Sequence, residues 1–87
     1  MDSKKFIEMC IELVAGYTNE HLDGTDEKTI ANEDVFLVWH CKTLQNSKAL
    51  LSTTLSDGMY YEITFNGDKN EIYLDAYKKF ENRCIRL

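Results

Sequence analysis

Residues 59–76, MYYEITFNGDKNEIYLDA, decide the fold of this 87-residue chain. Apolar and polar side chains alternate along two short runs, and the Gly67-Asp68 pair between the runs is typical of a tight turn. The pattern therefore predicts an antiparallel β-hairpin. Because side chains alternate along a strand, one face holds the residues that we assign to the core, namely Met59, Tyr61, Ile63, Phe65, Ile72, Leu74 and Ala76.

The number of turn residues determines which residues pair across this hairpin. An odd number without a bulge would place half of the apolar side chains on the wrong face, so we expect an even number. A two-residue turn at Gly67-Asp68 would pair Ile63 with Ile72 and Tyr61 with Leu74.

The opposite face of the hairpin carries the most unusual residues of the sequence. Tyr60 and Tyr73 lie there together with the carboxylates of Glu62 and Asp75. Aromatic side chains with a polar end are enriched in binding interfaces. Cross-strand tyrosines also stabilise small sheets, and a C-terminal segment could cover them. The sequence leaves both interpretations open.

Two further strands are predicted upstream of the hairpin. Residues 35–43, VFLVWHCKT, are apolar on both faces, which favours a central strand of the sheet. Residues 48–54 predict its neighbour. The core face of the first run holds one of two sets, of which we favour the first: Leu37, Trp39 and Cys41, or Phe36, Val38 and His40.

The ends of the chain complete the predicted architecture. Apolar residues from Phe6 to Tyr17 recur three and four apart, which predicts an amphipathic helix that Asp2 or Ser3 caps and that ends near Asp23-Gly24. Residues 77–87 predict a short C-terminal helix, with a continued strand as the alternative. We therefore expect one α+β domain over residues 1–87, with the N-terminal helix packed on a four-stranded, mostly antiparallel sheet.

Composition and charge exclude several classes of protein. The content of 44% hydrophobic and 29% charged residues is that of an ordered globular chain, and no apolar run reaches the length of a membrane helix. The net charge of −5 comes from residues 1–34, which carry nine acidic and three basic residues, or −6, against +1 for residues 35–87. Such a chain is a poor general binder of nucleic acid. Its acidic side chains, Asp23, Asp26 and Glu27 among them, suit a basic partner.

No residue pattern predicts catalysis, a metal or a cofactor. His40 and Cys41 are neighbours on a strand, so their side chains point to opposite faces and cannot form a nucleophile and base pair. The cysteines are Cys10, Cys41 and Cys84, which are odd in number and far apart, so we expect reduced core thiols and a cytosolic protein.

Several phrases of the second half resemble a known family. KTLQN at 42–46, DGMYYE at 57–62, NGDK at 66–69 and YLDAYKKFEN at 73–82 are similar to small phage and prophage proteins of Gram-positive bacteria that form a domain of unknown function. The resemblance runs from Trp39 to Asn82, about half of the chain. It implies a phage-encoded accessory protein that acts in the cytoplasm of a bacterial cell.

Together, these observations predict a binding protein rather than an enzyme. We expect it to bind and modulate a host protein, such as a defence factor, as anti-CRISPR proteins do, or a nucleic-acid-processing factor with a basic site. Tyr60, Tyr73, Glu62 and Asp75 would contact that partner, with Asp23, Asp26 and Glu27 adding charge. The alternative is a homo-oligomeric sponge that sequesters a small nucleotide signal between tyrosine-lined surfaces.

Overall fold

A computed structural model describes residues 1–22 and 29–87, and the regular structure of these residues consists of one α-helix, a short 3-10 helix and four strands. The strands form one antiparallel sheet in the order β1-β2-β3-β4, and the helix packs on one of its faces. The α+β fold predicted from the sequence is thus confirmed. The elements are α1 at Ser3–Glu20, a short 3-10 helix at Asn32–Asp34, β1 at Val35–Thr43, β2 at Asn46–Thr53, β3 at Met59–Asn66 and β4 at Glu71–Lys78.

Helix α1 buries a stripe of side chains spaced four residues apart. Asp2 caps the helix by accepting a hydrogen bond from the Lys5 backbone N–H at 2.8 Å, as predicted. The helix ends at Glu20, slightly before the predicted end. Asn19 exchanges two hydrogen bonds with the backbone of Ile30, at 2.8 and 3.0 Å, which hold Ile30 against the end of the helix. The buried stripe consists of Phe6, Cys10, Val14 and Thr18.

The core lies between α1 and the middle of the sheet. Phe6 packs against Phe65 with ring centroids 6.5 Å apart, and Tyr17 meets the edge of Tyr61 at 5.6 Å. The helix does not extend over β4, because Leu74 on the same face of the sheet is only half-buried and Ala76 is exposed. The buried side chains of β2 and β3 on this inner face are Ser47, Ala49, Leu51, Thr53, Tyr61, Ile63 and Phe65.

The β3–β4 hairpin keeps the predicted faces but has a longer turn. The observed register pairs Ile63 with Leu74, so the predicted pairing of Ile63 with Ile72 is wrong by two residues. Four residues, 67–70, form the turn. The Asn66 side-chain oxygen accepts hydrogen bonds from the backbone N–H groups of Asp68 and Lys69, and Asn70 adopts a left-handed φ of 52°. The turn is still even in length, so Tyr61 and Ile63 remain on the inner face as predicted.

Strand β1 differs most from its prediction. It is an edge strand rather than a central one. Its pairing with β2 shifts between Leu37 and Trp39, so Val38 is the extra residue of a β-bulge. The bulge changes which parity faces the helix: Leu37 lies on the inner face before it and His40 after it. The predicted core set of Leu37, Trp39 and Cys41 is therefore wrong, because Trp39 and Cys41 lie on the other face.

Residues 79–87, which we call the tail, follow β4 without regular secondary structure. The predicted C-terminal helix is therefore wrong, and Tyr77 belongs to β4. The prediction of core thiols holds for Cys10 only, because Cys41 and Cys84 are exposed.

Candidate functional site

The face of the sheet opposite α1 carries aromatic and acidic side chains from three of the four strands, β1, β3 and β4. Among the described residues, no other element covers this face, which we call the outer face. The cross-strand register arranges its residues in three rows. The rows are Phe36, Ser52, Tyr60 and Tyr77; Trp39, Leu50, Glu62 and Asp75; and Cys41, Lys48, Thr64 and Tyr73.

Four residues predicted for partner binding lie together on this face. Tyr60 and Glu62 come from β3, and Tyr73 and Asp75 come from the neighbouring strand β4. The strict alternation along both strands is what made this placement readable from the sequence. The other predicted contact residues, Asp23, Asp26 and Glu27, lie outside the described residues.

Sequence reasoning missed two aromatic residues of the outer face, Trp39 and Tyr77. Trp39 was expected in the core but leaves 42% of its surface exposed. Phe36, which the favoured core set already placed on the outer face, leaves 47% exposed. Tyr77 was expected in a helix, yet it follows Tyr73 and Asp75 along β4 and is 52% exposed. A regular period of two from residue 71 to residue 77 was available as a signal for Tyr77. No signal in the sequence locates the bulge that turns Trp39 outward.

The middle of the outer face concentrates negative charge. Glu62 and Asp75 are direct cross-strand neighbours. The Lys48 ammonium lies 3.3 Å from the Glu62 carboxylate and offsets part of this charge. Tyr73 donates its hydroxyl hydrogen bond to Glu71, and this bond to the carboxylate raises the pKa of Tyr73 above its ordinary value. The face therefore presents aromatic rings around carboxylates, a combination that suits a partner with cationic groups.

A shallow groove of about 310 Å³ opens on the outer face near the β1–β2 turn. Trp39 forms one wall, and the aliphatic part of Lys48 and the side chain of Thr64 form others. Cys41 and Thr43 line the groove as well, with the Cys41 sulfur 3.9 Å from the Thr43 hydroxyl oxygen. The groove is large enough for one side chain of a partner or for a small ring system.

The structure also bears on the chemistries considered from the sequence. His40 lies on the inner face, where its ring packs 5.5 Å from that of Phe6, whereas Cys41 lies on the outer face, so the two side chains point apart as predicted. The buried Nε2 atom of His40 has no hydrogen-bond partner among the described residues.

Within residues 1–22 and 29–87, no three His, Cys, Asp or Glu side chains come together as metal ligands. No helix in the same ranges is long and apolar enough to cross a membrane.

Comparison with known proteins gives one finding. Residues 7–87 match a family of unknown function, DUF6275. No curated protein and no solved structure shows significant similarity to this sequence.

Proposed function

The chain belongs to the family of unknown function DUF6275, and we propose from its residues that it is a non-enzymatic binding protein whose outer face docks on a protein with a basic surface. The observation that carries the proposal is a sheet face that no other described element covers and that exposes four aromatic residues, Phe36 and Trp39 on β1 and Tyr73 and Tyr77 on β4. Aromatic residues are enriched in protein interfaces.

Aromatic anchors around a charged centre resemble the layout of a protein interface. Trp and Tyr dominate interface hot spots because they bury a large rigid surface while their polar ends still form hydrogen bonds. Here Tyr73 and Tyr77 flank Asp75 along β4. Trp39 lies in the same cross-strand row as Glu62 and Asp75, with Leu50 between it and Glu62. Lysine or arginine side chains of a partner would meet the carboxylates, and its apolar side chains would cover the rings.

The wider charge distribution supports a basic partner over nucleic acid. Residues 1–34 carry a net charge of −6, and Asp23, Asp26 and Glu27 contribute half of the excess. An acidic surface repels a phosphate backbone but attracts proteins that bind one. The short sequence motifs that resemble phage and prophage proteins suggest where such a partner would be met. We propose a phage accessory protein that occupies the basic site of a host defence or nucleic-acid-processing factor in the bacterial cytoplasm.

The small-nucleotide sponge is the second candidate, and the groove favours it. Trp39 offers a ring for base stacking, and Lys48 offers a cation for a phosphate. The ion pair of Lys48 with Glu62 already engages that cation, and the nearby Asp75 disfavours an anion. We therefore rank protein binding first.

Paired capture from host lysate separates the two candidates. The wild-type protein is the bait, captured proteins are identified by mass spectrometry, and the heat-released fraction is analysed for small molecules. We expect a captured protein with a basic surface, released by salt. A stoichiometric nucleotide with no captured protein would refute protein binding and support the sponge.

Substitutions then assign the contact to the outer face. Trp39→Ala, or Tyr60→Ala with Tyr73→Ala, should weaken binding of the purified partner by tenfold or more, mainly through faster dissociation, at roughly 1 to 2 kcal/mol or more per anchor. Leu13→Ala is the matched control, because Leu13 is an exposed apolar residue of α1 on the other side of the molecule. Loss of binding in the control but not in the outer-face variants would place the contact on the helix instead.

Charge reversal tests the electrostatic part of the proposal. Changing Asp23, Asp26 and Glu27 to Lys should mainly slow association and reduce its salt dependence, because exposed charges steer the encounter more than they hold the complex. An unchanged association rate would remove these residues from the proposed contact.

A further inference from the structure

Strand β4 is an open edge of the sheet. The other edge, β1, is interrupted by the bulge at Val38, which is a common way to protect an edge. Strand β4 pairs with β3 without a shift over its whole length, Glu71–Lys78, and its sequence contains no proline. Helix α1 also leaves it uncovered, since Leu74 is half-buried and Ala76 is exposed on the inner face. Such an edge is a template for another strand.

The backbone groups of alternate β4 residues point to this open edge. The Lys79 backbone N–H donates to the Gly58 carbonyl at 2.7 Å, in line with the register in which Lys78 pairs with Met59. Residues at odd positions therefore bond towards β3. Because bonding directions alternate along an antiparallel strand, Leu74 and Ala76 at even positions direct their N–H and C=O groups outward.

The tail supplies exposed side chains next to this edge. Phe80 is 99% exposed and Ile85 is 75% exposed. The Arg83 guanidinium contacts the Glu81 carboxylate at 3.0 Å, which places two side chains at positions i and i+2 on one side, as in an extended strand. The radius of gyration of 14.4 Å exceeds the ~12 Å expected for a compact chain of this length, in agreement with a projecting tail.

We propose that two copies of this chain pair edge to edge, antiparallel, through β4 and the first residues of the tail. A two-fold axis would pass beside Tyr77, which then faces Tyr77 of the second copy. On the outer face, Asp75 would lie opposite the second copy's Lys79, and Glu71 opposite its Arg83. On the inner face, the second copy's Phe80 would cover Leu74. The inference stands independently of the proposed host partner.

Charge selects this register among those that the backbone permits. The permitted registers differ from one another by multiples of two residues, because only these keep the outward bonding groups opposite each other and the faces matched. A shift of two residues in one direction places Glu71 opposite Glu81, and the same shift in the other direction places Asp75 opposite Glu81. Both bring like charges together, whereas the proposed register forms two opposite-charge pairs in each half of the symmetric interface.

The charged pairs would lie at those positions of the β4–β4 pairing where facing side chains are closest. The even-numbered residues would form the hydrogen-bonded pairs, so Asp75 and Lys79 fall at non-hydrogen-bonded positions, where side chains approach most closely. The paired sheet would have eight strands, and the two outer faces would join across Tyr77. Each copy would then complete the half-covered inner face of the other at Leu74.

Sedimentation velocity of the purified chain over a range of concentrations tests the proposal. The wild type should form a dimer. Asp75→Lys alone and Lys79→Asp alone should each raise the dissociation constant by tenfold or more, because each converts two attractive cross-strand pairs into repulsive ones. A mixture of the two variants should recover the wild-type affinity as a heterodimer, since the lysine introduced at position 75 then faces the aspartate introduced at position 79.

Two controls keep the result specific to this edge. Glu12→Lys makes the same change in net charge on the exposed surface of α1 and should leave the dissociation constant unchanged. Ala76→Pro removes an outward N–H that β3 does not use, so it should abolish the dimer while circular dichroism shows the sheet retained. A wild-type chain that stays monomeric at every soluble concentration overturns the proposal. So does a dimer that ignores the Asp75 and Lys79 changes, or one that the mixture fails to restore.

Discussion

Glu62 and Asp75 lie directly opposite each other on β3 and β4, so two acidic residues face each other on the outer face. Like charges at such positions destabilise a sheet. Lys48 contacts Glu62, whereas none of the described residues forms an ion pair with Asp75. A pair that costs stability in the free protein but would attract a cationic partner is consistent with a binding face.

Asp75→Asn should make the monomer more stable. Removing one of the two facing charges should raise the free energy of unfolding by about 0.2 to 1 kcal/mol. Urea unfolding at low protein concentration, where association does not contribute, measures the change. The same Asp75→Asn change in a Glu62→Gln background is the control and should have a smaller effect, because the facing charge is already absent there. A less stable Asp75→Asn variant would show that the pair is not repulsive.

Glycine substitutions at two positions should have opposite effects. A Cβ atom at Gly67 would lie 2.2 Å from the Gln45 carbonyl oxygen, because the β1–β2 and β3–β4 turns pack closely there. A side chain must displace that backbone, so Gly67→Ala should lower the free energy of unfolding by roughly 1 to 3 kcal/mol. Gly16 lies inside α1 with nothing within 4 Å of its would-be Cβ, so Gly16→Ala should raise it by roughly 0.5 to 1 kcal/mol. Equal effects of the two substitutions in thermal unfolding would contradict this packing.

Trp39 should report directly on the outer face. It is the single tryptophan of the chain, and 42% of its surface is exposed. We expect a red-shifted emission that acrylamide quenches efficiently, and a blue shift with protection from quenching when the basic partner binds. A blue emission that resists quenching in the free protein would instead place the ring in the core.

The thiols should differ sharply in reactivity. Burial raises the pKa of the Cys10 thiol to about 12, whereas Cys41 and Cys84 are exposed. A chromogenic disulfide reagent at mildly alkaline pH should therefore modify two thiols quickly in the native protein and the third only after unfolding. Rapid modification of all three would contradict the burial of Cys10.

The same thiol should make stability depend on alkaline pH. The folded-state pKa of about 12 lies above the ordinary value of 9.0, so the neutral thiol contributes stability that is fully present below pH 9 and is lost as the pH rises towards 12. The free energy of unfolding of the wild type should fall more steeply over this range than that of Cys10→Ala. Comparing the two proteins cancels the titration of lysines and tyrosines. Parallel curves would show that Cys10 does not carry this linkage.

The sequence predicted those parts of the fold that follow from local periodicity. The spacing of three and four residues from Phe6 to Tyr17 and the alternation along β3 and β4 were both sufficient, because each determines a face without reference to the rest of the chain. The length of the hairpin turn was predicted only in parity. Turns of two or four residues place the same side chains on the inner face. Hydrogen bonds from the turn backbone to the Asn66 side chain stabilise the four-residue turn.

The position of Trp39 could not be predicted in this way. A single bulged residue at Val38 exchanges the faces of everything after it, and no local pattern marks a bulge. The edge position of β1 could not be predicted either, because its sequence is apolar on both faces, as in a central strand. In the structure, apolar residues of β1 such as Phe36 are exposed. The outer face was therefore found through β3, Phe36 and most of β4, and missed at Trp39 and Tyr77.

The bulge at Val38 limits how far the sheet can grow. A sheet with two regular edges can add copies at both ends and polymerise into a fibre, whereas a sheet with one regular edge stops when that edge is used. Here β4 is regular and β1 is not. The irregular edge of β1 would therefore prevent further copies from adding to the sheet. The protein could then accumulate to high concentration without forming filaments.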